Sequence, residues 1–318
     1  MLKKTSRQYI NEASFPAVLQ FELTGACNLK CKQCYNDSGQ KKTVMSAEHW
    51  KTFAKKVTDN LFSVTLSGGE PLLLGEQLFS LMDIFESAHT WINLISNGFF
   101  VDRETAKRLA KYSVGWVEIS IDSPHEQYHD YLRGLAGSWR KAVLAASYLA
   151  GYNVPVFIGT CVTPKTLSDL KAMVKLAEDI GAAGLTLTKI IVSGRAYSNV
   201  QELILSEEET QKFIAEATEL KNNAKDLVVN FTTSSIQDAL RDDSSGTTNY
   251  QVPIIRPDAT MRLSCFEPIT LGNVLNEDIQ ILWERYKQIR ALLKKNPEKL
   301  NAAGRNYVDE DINYVELL

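Results

Sequence analysis

Three cysteines lie close together in one short stretch of this 318-residue chain. Cys27, Cys31 and Cys34 stand in ELTGACNLKCKQCYNDSG, directly after an apolar run typical of a β-strand. Three thiolates on one tight loop can bind three irons of a cubane iron–sulfur cluster and leave the fourth iron open to an outside ligand. Gly25 and Asn28 are residue types that suit the turns needed to aim three sulfurs inward. The spacing therefore predicts a [4Fe–4S] cluster with one open coordination position.

A structural zinc site and an electron-transfer ferredoxin are the alternatives for these cysteines. Structural zinc takes four ligands, usually as two separated pairs, whereas no fourth cysteine lies nearby and His49 is distant in sequence. A ferredoxin needs a fourth cysteine for each cluster. The five cysteines are an odd number, and Cys161 and Cys265 stand alone, so a disulfide framework is not indicated. The pattern favours the open cluster.

The composition excludes several classes of protein. The chain is 44% hydrophobic, enough for a large core, and its net charge of −3 does not indicate nucleic-acid binding. The N-terminal lysines are not followed by the apolar run of a signal peptide. No stretch reaches the roughly 18 apolar residues of a membrane span. Clustered thiols without a secretion signal predict a cytoplasmic protein.

Strand-like and helical runs alternate through the first two thirds of the chain. Six strands are predicted, at Ala17–Thr24, Phe62–Leu66, Ile92–Ser96, Trp116–Ile121, Val156–Val162 and Leu185–Ile191. Helices are predicted between them, at Ala47–Asp59, Glu76–Ala88, Arg103–Lys111, Trp139–Gly151 and Leu167–Ile180. Such repeated βαβ units predict an α/β fold, a partial (β/α)6 barrel of the TIM type. Functional residues then belong at the carboxyl ends of the strands.

The pattern changes after about residue 200. A charged helix at Glu207–Asn222 and a strand-like run at Leu227–Thr232 come first. The polar stretch Arg241–Tyr250 predicts a flexible loop or lid, and a final helix is predicted at Ile279–Lys294. We therefore divide the chain into an N-terminal extension (1–15), a barrel core (16–200) and a small α+β C-terminal extension (201–318).

The cysteine spacing resembles the signature of the radical S-adenosylmethionine (radical SAM) superfamily. Further motifs follow in the family's order: LSGGEP at Leu66–Pro71, ISNG at Ile95–Gly98, EISIDS at Glu118–Ser123 and SGRA at Ser193–Ala196. Gln33 departs from the family, which usually has an aromatic residue or histidine there, near the adenine. The resemblance covers residues 15–200. It implies one [4Fe–4S] cluster on the three clustered cysteines, with SAM on the open iron.

The resemblance also implies which residues bind SAM. Gly68 and Gly69 would let backbone carbonyls approach its cationic amino group, and Glu70 would add negative charge. Polar groups at the later strand ends would hold its ribose and carboxylate: Ser96, Ser120, Asp122 and Arg133. For Arg133, a surface ion pair is the structural alternative.

The C-terminal part resembles a degenerate SPASM or twitch extension. Its run of strand, Cys265, GN and a tryptophan-containing helix matches that extension, but the closing stretch Asn301–Glu316 contains no cysteine. The resemblance therefore implies no auxiliary cluster. The segment MRLSC alternates apolar and polar residues, which predicts a strand with Met261, Leu263 and Cys265 on one face.

The implied chemistry is reductive cleavage of SAM to a 5′-deoxyadenosyl radical, which abstracts hydrogen from a C–H bond. An electron donor such as flavodoxin or ferredoxin is implied as a partner. Relatives with such an extension often epimerise or crosslink ribosomally made peptides, whereas others act on sugars or aminoglycosides. Only Met1–Pro16 precede the first predicted strand, so a separate leader-binding protein or another surface would recognise a peptide substrate.

The two isolated cysteines are candidate hydrogen donors, because a thiol can return a hydrogen atom to a carbon radical. Cys265 is the first candidate. Cys161 is the second, with a small buried hydrophobic residue as its structural alternative. Three functions remain open: a peptide-modifying radical SAM enzyme, a small-molecule enzyme such as a sugar or aminoglycoside epimerase, and a non-catalytic metal-binding protein.

Overall fold

Seven parallel strands form the centre of the structure, a computed structural model that describes residues 14–39, 43–232, 252–265, 269–296 and 312–317. They pair in chain order, each parallel to the next. Their bounds are β1 Val18–Glu22, β2 Ser63–Ser67, β3 Trp91–Ser96, β4 Val114–Ser120, β5 Val156–Val162, β6 Gly184–Lys189 and β7 Val228–Thr232. The six predicted strands and the parallel α/β architecture are confirmed. The strand-like run after residue 226 becomes β7 and extends the parallel sheet by one strand.

Helices connect successive strands, as repeated βαβ units require. They are α1 Ala47–Val57, α2 Glu76–Ser87, α3 Arg103–Leu109, α4 Glu126–Arg133, α5 Ser138–Gly151, α6 Leu170–Ile180, α7 Arg195–Ser198, α8 Val200–Leu203 and α9 Glu207–Asn223. A further helix, α10 Ile279–Lys295, lies in the C-terminal part of the chain. Ser46 begins α1 with a capping box, in which its hydroxyl accepts from the His49 amide. Sequence analysis missed α4, because this polar helix is only eight residues long. No helix within the described ranges is both long and apolar enough to cross a bilayer.

The two faces of the parallel strands have different surroundings. On β5, Val156, Ile158, Thr160 and Val162 are buried beneath the helices, and the alternate residues are only partly buried. The partly buried positions face the inside of the curved sheet, since side chains of a strand alternate between its faces. The interior is therefore open enough to contain a cavity.

The C-terminal residues prolong the same sheet beyond β1. Strand β8 (Ile254–Ile255) lies parallel to β1. It is followed by β9 (Thr260–Arg262), β10 (Ile269–Asn273) and β11 (Ile312–Asn313) in spatial order. The predicted strand through Cys265 ends at Arg262. Leu263 and Ser264 are both buried, so the predicted alternation between two faces does not continue. The predicted loop at 241–250 and the segment 301–311 lie outside the described residues.

Candidate functional site

The cysteine loop, residues 25–39, follows β1 and is held by the turn that follows β2. The Gly69 amide donates to the Thr24 carbonyl at 2.7 Å, and the Glu70 amide donates to the Ala26 carbonyl at 2.9 Å. A Cβ on Gly69 would lie 2.0 Å from the Ala26 oxygen. Glycine is therefore required here so that two backbones can meet. Sequence analysis assigned this closeness to the amine of SAM, whereas the structure shows it between the turn and the cysteine loop.

Each cysteine thiol of this loop has a polar neighbour. The amides of Leu29 and Ser38 donate to the sulfurs of Cys27 and Cys34, both at 3.4 Å. Arg133 Nη1 lies 3.8 Å from Cys31 Sγ. Such donors stabilise thiolates, and they tune the properties of a cluster that the thiolates bind.

Burial opposes ionisation of two of these thiols in the metal-free chain. Desolvation raises the pKa of Cys31 to about 11, and it also raises the pKa of Cys27. Iron binding must therefore expel protons from these thiols.

Glu70 organises the turn between β2 and the end of β3. Its carboxylate accepts from the Leu72 amide at 3.1 Å, the Ser96 hydroxyl at 2.9 Å and the Asn97 amide at 2.8 Å. It is fully buried, and desolvation raises its pKa to about 7. Asn97 in turn lies 3.9 Å from Cys27 Sγ. Glu70 thus connects the ends of two strands to the cysteine loop.

Asp122 is the centre of a second buried network. Its carboxylate lies 2.6 Å from Arg133 Nε, accepts from Gln33 Nε2 at 2.6 Å, and accepts from the Cys161 amide at 3.0 Å. The side chain of Arg133 is only 11% exposed, so the surface ion pair considered for it is wrong. Asp122 itself is fully enclosed. It therefore connects Gln33 of the cysteine loop to Arg133.

Arg195 clamps the cysteine loop from the turn after β6. Its Nε donates to the Cys31 carbonyl at 2.9 Å, and its Nη1 contacts Asp37 at 2.7 Å and the Ser38 carbonyl at 2.8 Å. Gly194 precedes it at φ 54°, where a Cβ would come 2.7 Å from the Cys34 oxygen. The SGRA motif thus acts on the loop backbone.

The C-terminal segment supports the same loop through a buried charge network. Arg256 lies 3.8 Å from Glu22 at the end of β1. The Glu22 carboxylate accepts from the Tyr35 hydroxyl at 2.7 Å and from Asn36 Nδ2 at 3.0 Å. Sequence analysis did not single out Glu22 or Arg256. Their one available signal was charge within otherwise apolar strand segments.

A cavity of about 310 Å³ opens beside the cysteine loop and extends into the barrel interior. It brings together most residues that the sequence nominated: Cys27, Cys31, Cys34, Gly68, Gly69, Ser96, Ser120, Arg133, Cys161 and Cys265. Glu70 and Asp122 do not line it. They reach it only through the side chains they hold.

The two candidate hydrogen donors lie on different walls of this cavity. Cys161 is on β5, with Asp122, Arg133 and Glu118 as charged neighbours. Cys265 follows β9 and lies near the Tyr35 hydroxyl. Burial raises the pKa of Cys161 well above its usual value, so this residue stays a neutral thiol, the form that can give up a hydrogen atom.

The residues present fit a cubane cluster and a nucleoside cofactor. In the described part of the chain, no three His, Cys, Asp or Glu side chains converge as ligands of one metal ion. A cubane does not require such convergence, because its thiolates bind separate irons.

The side-chain amide oxygen of Gln33 lacks a polar partner. It is 6% exposed, and its Oε1 is buried without a hydrogen-bond partner although the residue lines the cavity. The carboxylate of Asp122 requires the amide nitrogen on its own side. The amide oxygen is therefore left for a ligand donor.

Comparisons with known proteins agree with this geometry. Residues 21–177 match the model of the radical SAM superfamily. The sporulation killing factor maturation protein SkfB of Bacillus subtilis (strain 168) is 26% identical over 275 residues, which are 84% of this chain and 65% of the relative. The mycofactocin maturase MftC of Mycobacterium tuberculosis (strain ATCC 25618 / H37Rv) is 33% identical over 190 residues, 57% of this chain and 46% of the relative. The chain thus spans between about half and two thirds of these relatives' length.

Solved structures share the fold. Streptococcus suis SuiB bound to S-adenosylmethionine superposes with a TM-score of 0.71 at 16% identity, covering 90% of this chain and 70% of that one. Native anSMEcpe with bound AdoMet gives a TM-score of 0.68 at 20% identity, covering 95% and 94%. Residues 21–177 form a domain of the radical SAM superfamily, whose cofactors are a [4Fe–4S] cluster and S-adenosylmethionine.

Proposed function

We propose that this protein is a maturase of a ribosomally made peptide, in which it epimerises or crosslinks residues by hydrogen abstraction from a C–H bond. The observation that carries the proposal is the placement of three clustered cysteines and two isolated ones around one open cavity. The names of the relatives SkfB and MftC describe maturation proteins, and SuiB has been crystallised with the precursor peptide SuiA.

Within the proposal, each group of residues has a distinct task. Cys27, Cys31 and Cys34 bind the cluster, which supplies the electron that cleaves SAM to a 5′-deoxyadenosyl radical. The turn after β2, Ser96, Ser120 and Arg133 hold SAM from the strand ends. Glu70 acts indirectly, by positioning Asn97. Asp122 also acts indirectly, by positioning Gln33 and Arg133. Bound SAM and substrate would fill the cavity and keep water away from the radical.

The fate of the substrate radical separates the two reactions. Epimerisation needs one hydrogen atom from a thiol, and the resulting thiyl is then reduced by one electron and one proton. Crosslinking instead removes a second electron and a proton as the new bond forms. Cys265 and Cys161 are the proposed donors, because both thiols line the cavity.

The proposal includes partners and a location. A low-potential donor such as flavodoxin or ferredoxin supplies the electron. A separate leader-binding protein is proposed for substrate recognition. A cytoplasmic location suits reduced thiols that must bind iron.

The test is an anaerobic reaction with a precursor peptide encoded beside the gene. The reconstituted enzyme, SAM and a reductant should give 5′-deoxyadenosine and a modified peptide by mass spectrometry. In deuterated water, a gain of one deuterium without other mass change indicates epimerisation, and a loss of two hydrogens indicates a crosslink. A peptide that remains unmodified and does not stimulate SAM cleavage would contradict the proposal.

Variants of the two thiols test the donor role. If Cys265 is the donor, Cys265→Ala should still form 5′-deoxyadenosine but should fail to give the epimer, while Cys161→Ala stays active. The opposite pattern assigns the donor to Cys161. Full product formation by both variants, with no solvent deuterium in the wild-type product, would favour crosslinking.

A small-molecule substrate is the second candidate. The observation that favours it is a match to the AdoMet-dependent heme synthase of Methanosarcina barkeri (strain Fusaro / DSM 804), 28% identical over 185 residues. This match covers 57% of the chain and 52% of that enzyme. Turnover of a small molecule with no response to precursor peptide would establish it.

A further inference from the structure

The interior of this barrel carries several polar side chains where parallel barrels are usually filled with branched aliphatic ones. Below the cysteine loop, the cavity is lined by Gln20, Thr65, Trp116, Glu118, Thr186 and Thr188. Polar side chains that face a void represent a desolvation cost unless a ligand satisfies them. The interior wall therefore has the character of a binding site.

Glu118 is the one carboxylate among the described residues that line this cavity. Thr186 on β6, the next strand but one in the sheet, lowers the pKa of this carboxyl group through its side chain. A carboxylate has about four acceptor positions, so most of its capacity faces the cavity. Desolvation raises its pKa to about 7, which shows how little its charge is compensated by the protein.

The nearby arginines do not neutralise Glu118 by direct contact. Arg133 is ion-paired with Asp122 at 2.6 Å, and Arg195 is paired with Asp37 at 2.7 Å. Arg133 exerts a long-range attraction on Glu118, but its donors are directed to other groups. Lys189 also lines the cavity, but it is not among the groups that shift the pKa of Glu118, so the carboxylate can accept a cation from outside.

Gly159 on β5 makes room for this side chain. A Cβ at Gly159 would lie 2.6 Å from Glu118 Oε1 and 2.7 Å from its carboxyl carbon. The carboxyl group thus lies directly beside the backbone of the neighbouring strand at Gly159. A residue larger than glycine at this position would displace it.

Trp116 shares the interior face of β4 with Glu118, because the two residues are two apart on one strand. Both line the cavity. An indole ring beside a carboxylate is a favourable environment for an ammonium or guanidinium group, which the ring attracts through its face.

We propose that Trp116 and Glu118 form a cation-binding subsite that receives an alkylammonium or guanidinium group of the substrate. The subsite rests on the proposed function in one respect: in a peptide substrate, the cation would be a lysine or arginine side chain. A subsite of this kind implies a substrate that has a positively charged group within reach of the reacting carbon.

The experiment uses the anaerobically reconstituted holoenzyme with SAM bound, titrated calorimetrically with n-butylammonium, n-butylguanidinium and neutral 1-butanol. The two cations should bind and 1-butanol should not. Glu118→Gln should weaken cation binding about tenfold or more, as expected when a buried ionic partner is removed. Trp116→Leu should weaken it about threefold. Glu126→Gln, a carboxylate on the outer helix α4, is the matched control and should change nothing.

Iron content identifies variants that have failed to fold, and Glu118→Gln preserves side-chain shape. Equal cation affinity in Glu118→Gln and wild type would overturn the subsite. So would a loss of SAM affinity in Glu118→Gln together with absent cation binding, because Glu118 would then belong to the cofactor site.

A further titration with the aminocyclitol 2-deoxystreptamine distinguishes the source of the cation. Binding weaker than that of n-butylammonium supports a peptide side chain, and much tighter binding overturns that source in favour of an amino sugar. Failure of the proposed function is separable: cation binding that depends on Glu118, without modification of any peptide, leaves the subsite intact and removes the maturase assignment.

Discussion

The cysteine loop and the interior wall face the same cavity, but their polar groups are used differently. The loop is held by hydrogen bonds from the turn after β2, from Arg195 and from the Glu22 network. Along the wall, burial raises the pKa of Glu118, and only Thr186 and the more distant Arg133 oppose that effect. Satisfied polar networks are rigid, whereas open polar groups await a ligand. The difference indicates that the loop is built for one fixed cofactor and the wall for an exchangeable substrate group.

The largest effect should come from the loop ligands. Cys31→Ala should reduce iron from about four atoms per chain to near zero, because a three-thiolate site cannot lose a ligand without losing the cluster. The brown colour and SAM cleavage should disappear with the iron. Iron analysis and visible spectra measure this.

Cys265→Ala is the matched control for iron content. This variant should retain about four irons, since Cys265 is not one of the three cysteines in the loop. About eight irons in the wild type, with the excess surviving in Cys265→Ala, would show that a second cluster exists.

The backbone contact between Gly69 and the cysteine loop should give the next largest effect. Gly69→Val should destabilise the protein by about 3 kcal/mol, because the new side chain overlaps the Ala26 carbonyl and both backbones must move. Denaturant unfolding of the metal-free chain measures this loss. Gly151→Ala is the control: nothing lies within 4 Å of a Cβ at this helical position, so alanine should be neutral or stabilise by about 0.5 kcal/mol. Equal stability of Gly69→Val and wild type would contradict the close approach.

The arginine clamp should have an intermediate effect. Arg195→Met keeps the aliphatic stem but loses the bonds to the Cys31 and Ser38 carbonyls and to Asp37. We expect a loss of about 2 kcal/mol, typical of charge-assisted hydrogen bonds, and faster loss of iron to a chelator. Arg140→Met is the control. Its pair with Glu126 is 2.8 Å long but 72% exposed on the arginine, so its removal should cost well under about 1 kcal/mol. Identical chelation rates in both variants would remove Arg195 from the loop's support.

The smallest effect depends on pH and tests the wall. The pKa of Glu118 is about 7 in the folded chain, above the 4.5 that is usual for a glutamate side chain. The folded state therefore holds more protons than the unfolded state between these values, and stability falls as pH rises through this window. Glu118→Gln removes this penalty. It should stabilise the protein by on the order of 1–2 kcal/mol at pH 8 and very little at pH 4.

Urea unfolding at the two pH values measures this difference. Glu70, whose pKa is also about 7, is present in both proteins, so its contribution cancels. A variant that is less stable than wild type at pH 8 would show that the protein already compensates the negative charge of Glu118. The proposed difference between the satisfied cysteine loop and the open interior wall would then be wrong.

Much of this protein could be predicted from the sequence. The strand and helix alternation and the cysteine spacing depend on residues close in the chain, where period and spacing report directly on local structure. Boundaries were accurate for the long elements. The polar helix α4 was missed because its apolar signal is weak, and the strand through Cys265 was predicted too long because alternation alone does not show where pairing stops.

The tertiary structure decided what each polar residue does. Gln33 contacts Asp122 across 89 residues, and Arg195 contacts the Cys31 carbonyl across 164. Such pairs leave no periodic trace, so sequence analysis could not show that Glu70 and Asp122 organise the residues around the cysteine loop. The same holds for Gly159, whose missing side chain gives space to Glu118 only because register places β5 beside β4. Local spacing determined which cofactors this chain binds, while the packing of distant strand ends decided which side chains are left free to meet a substrate.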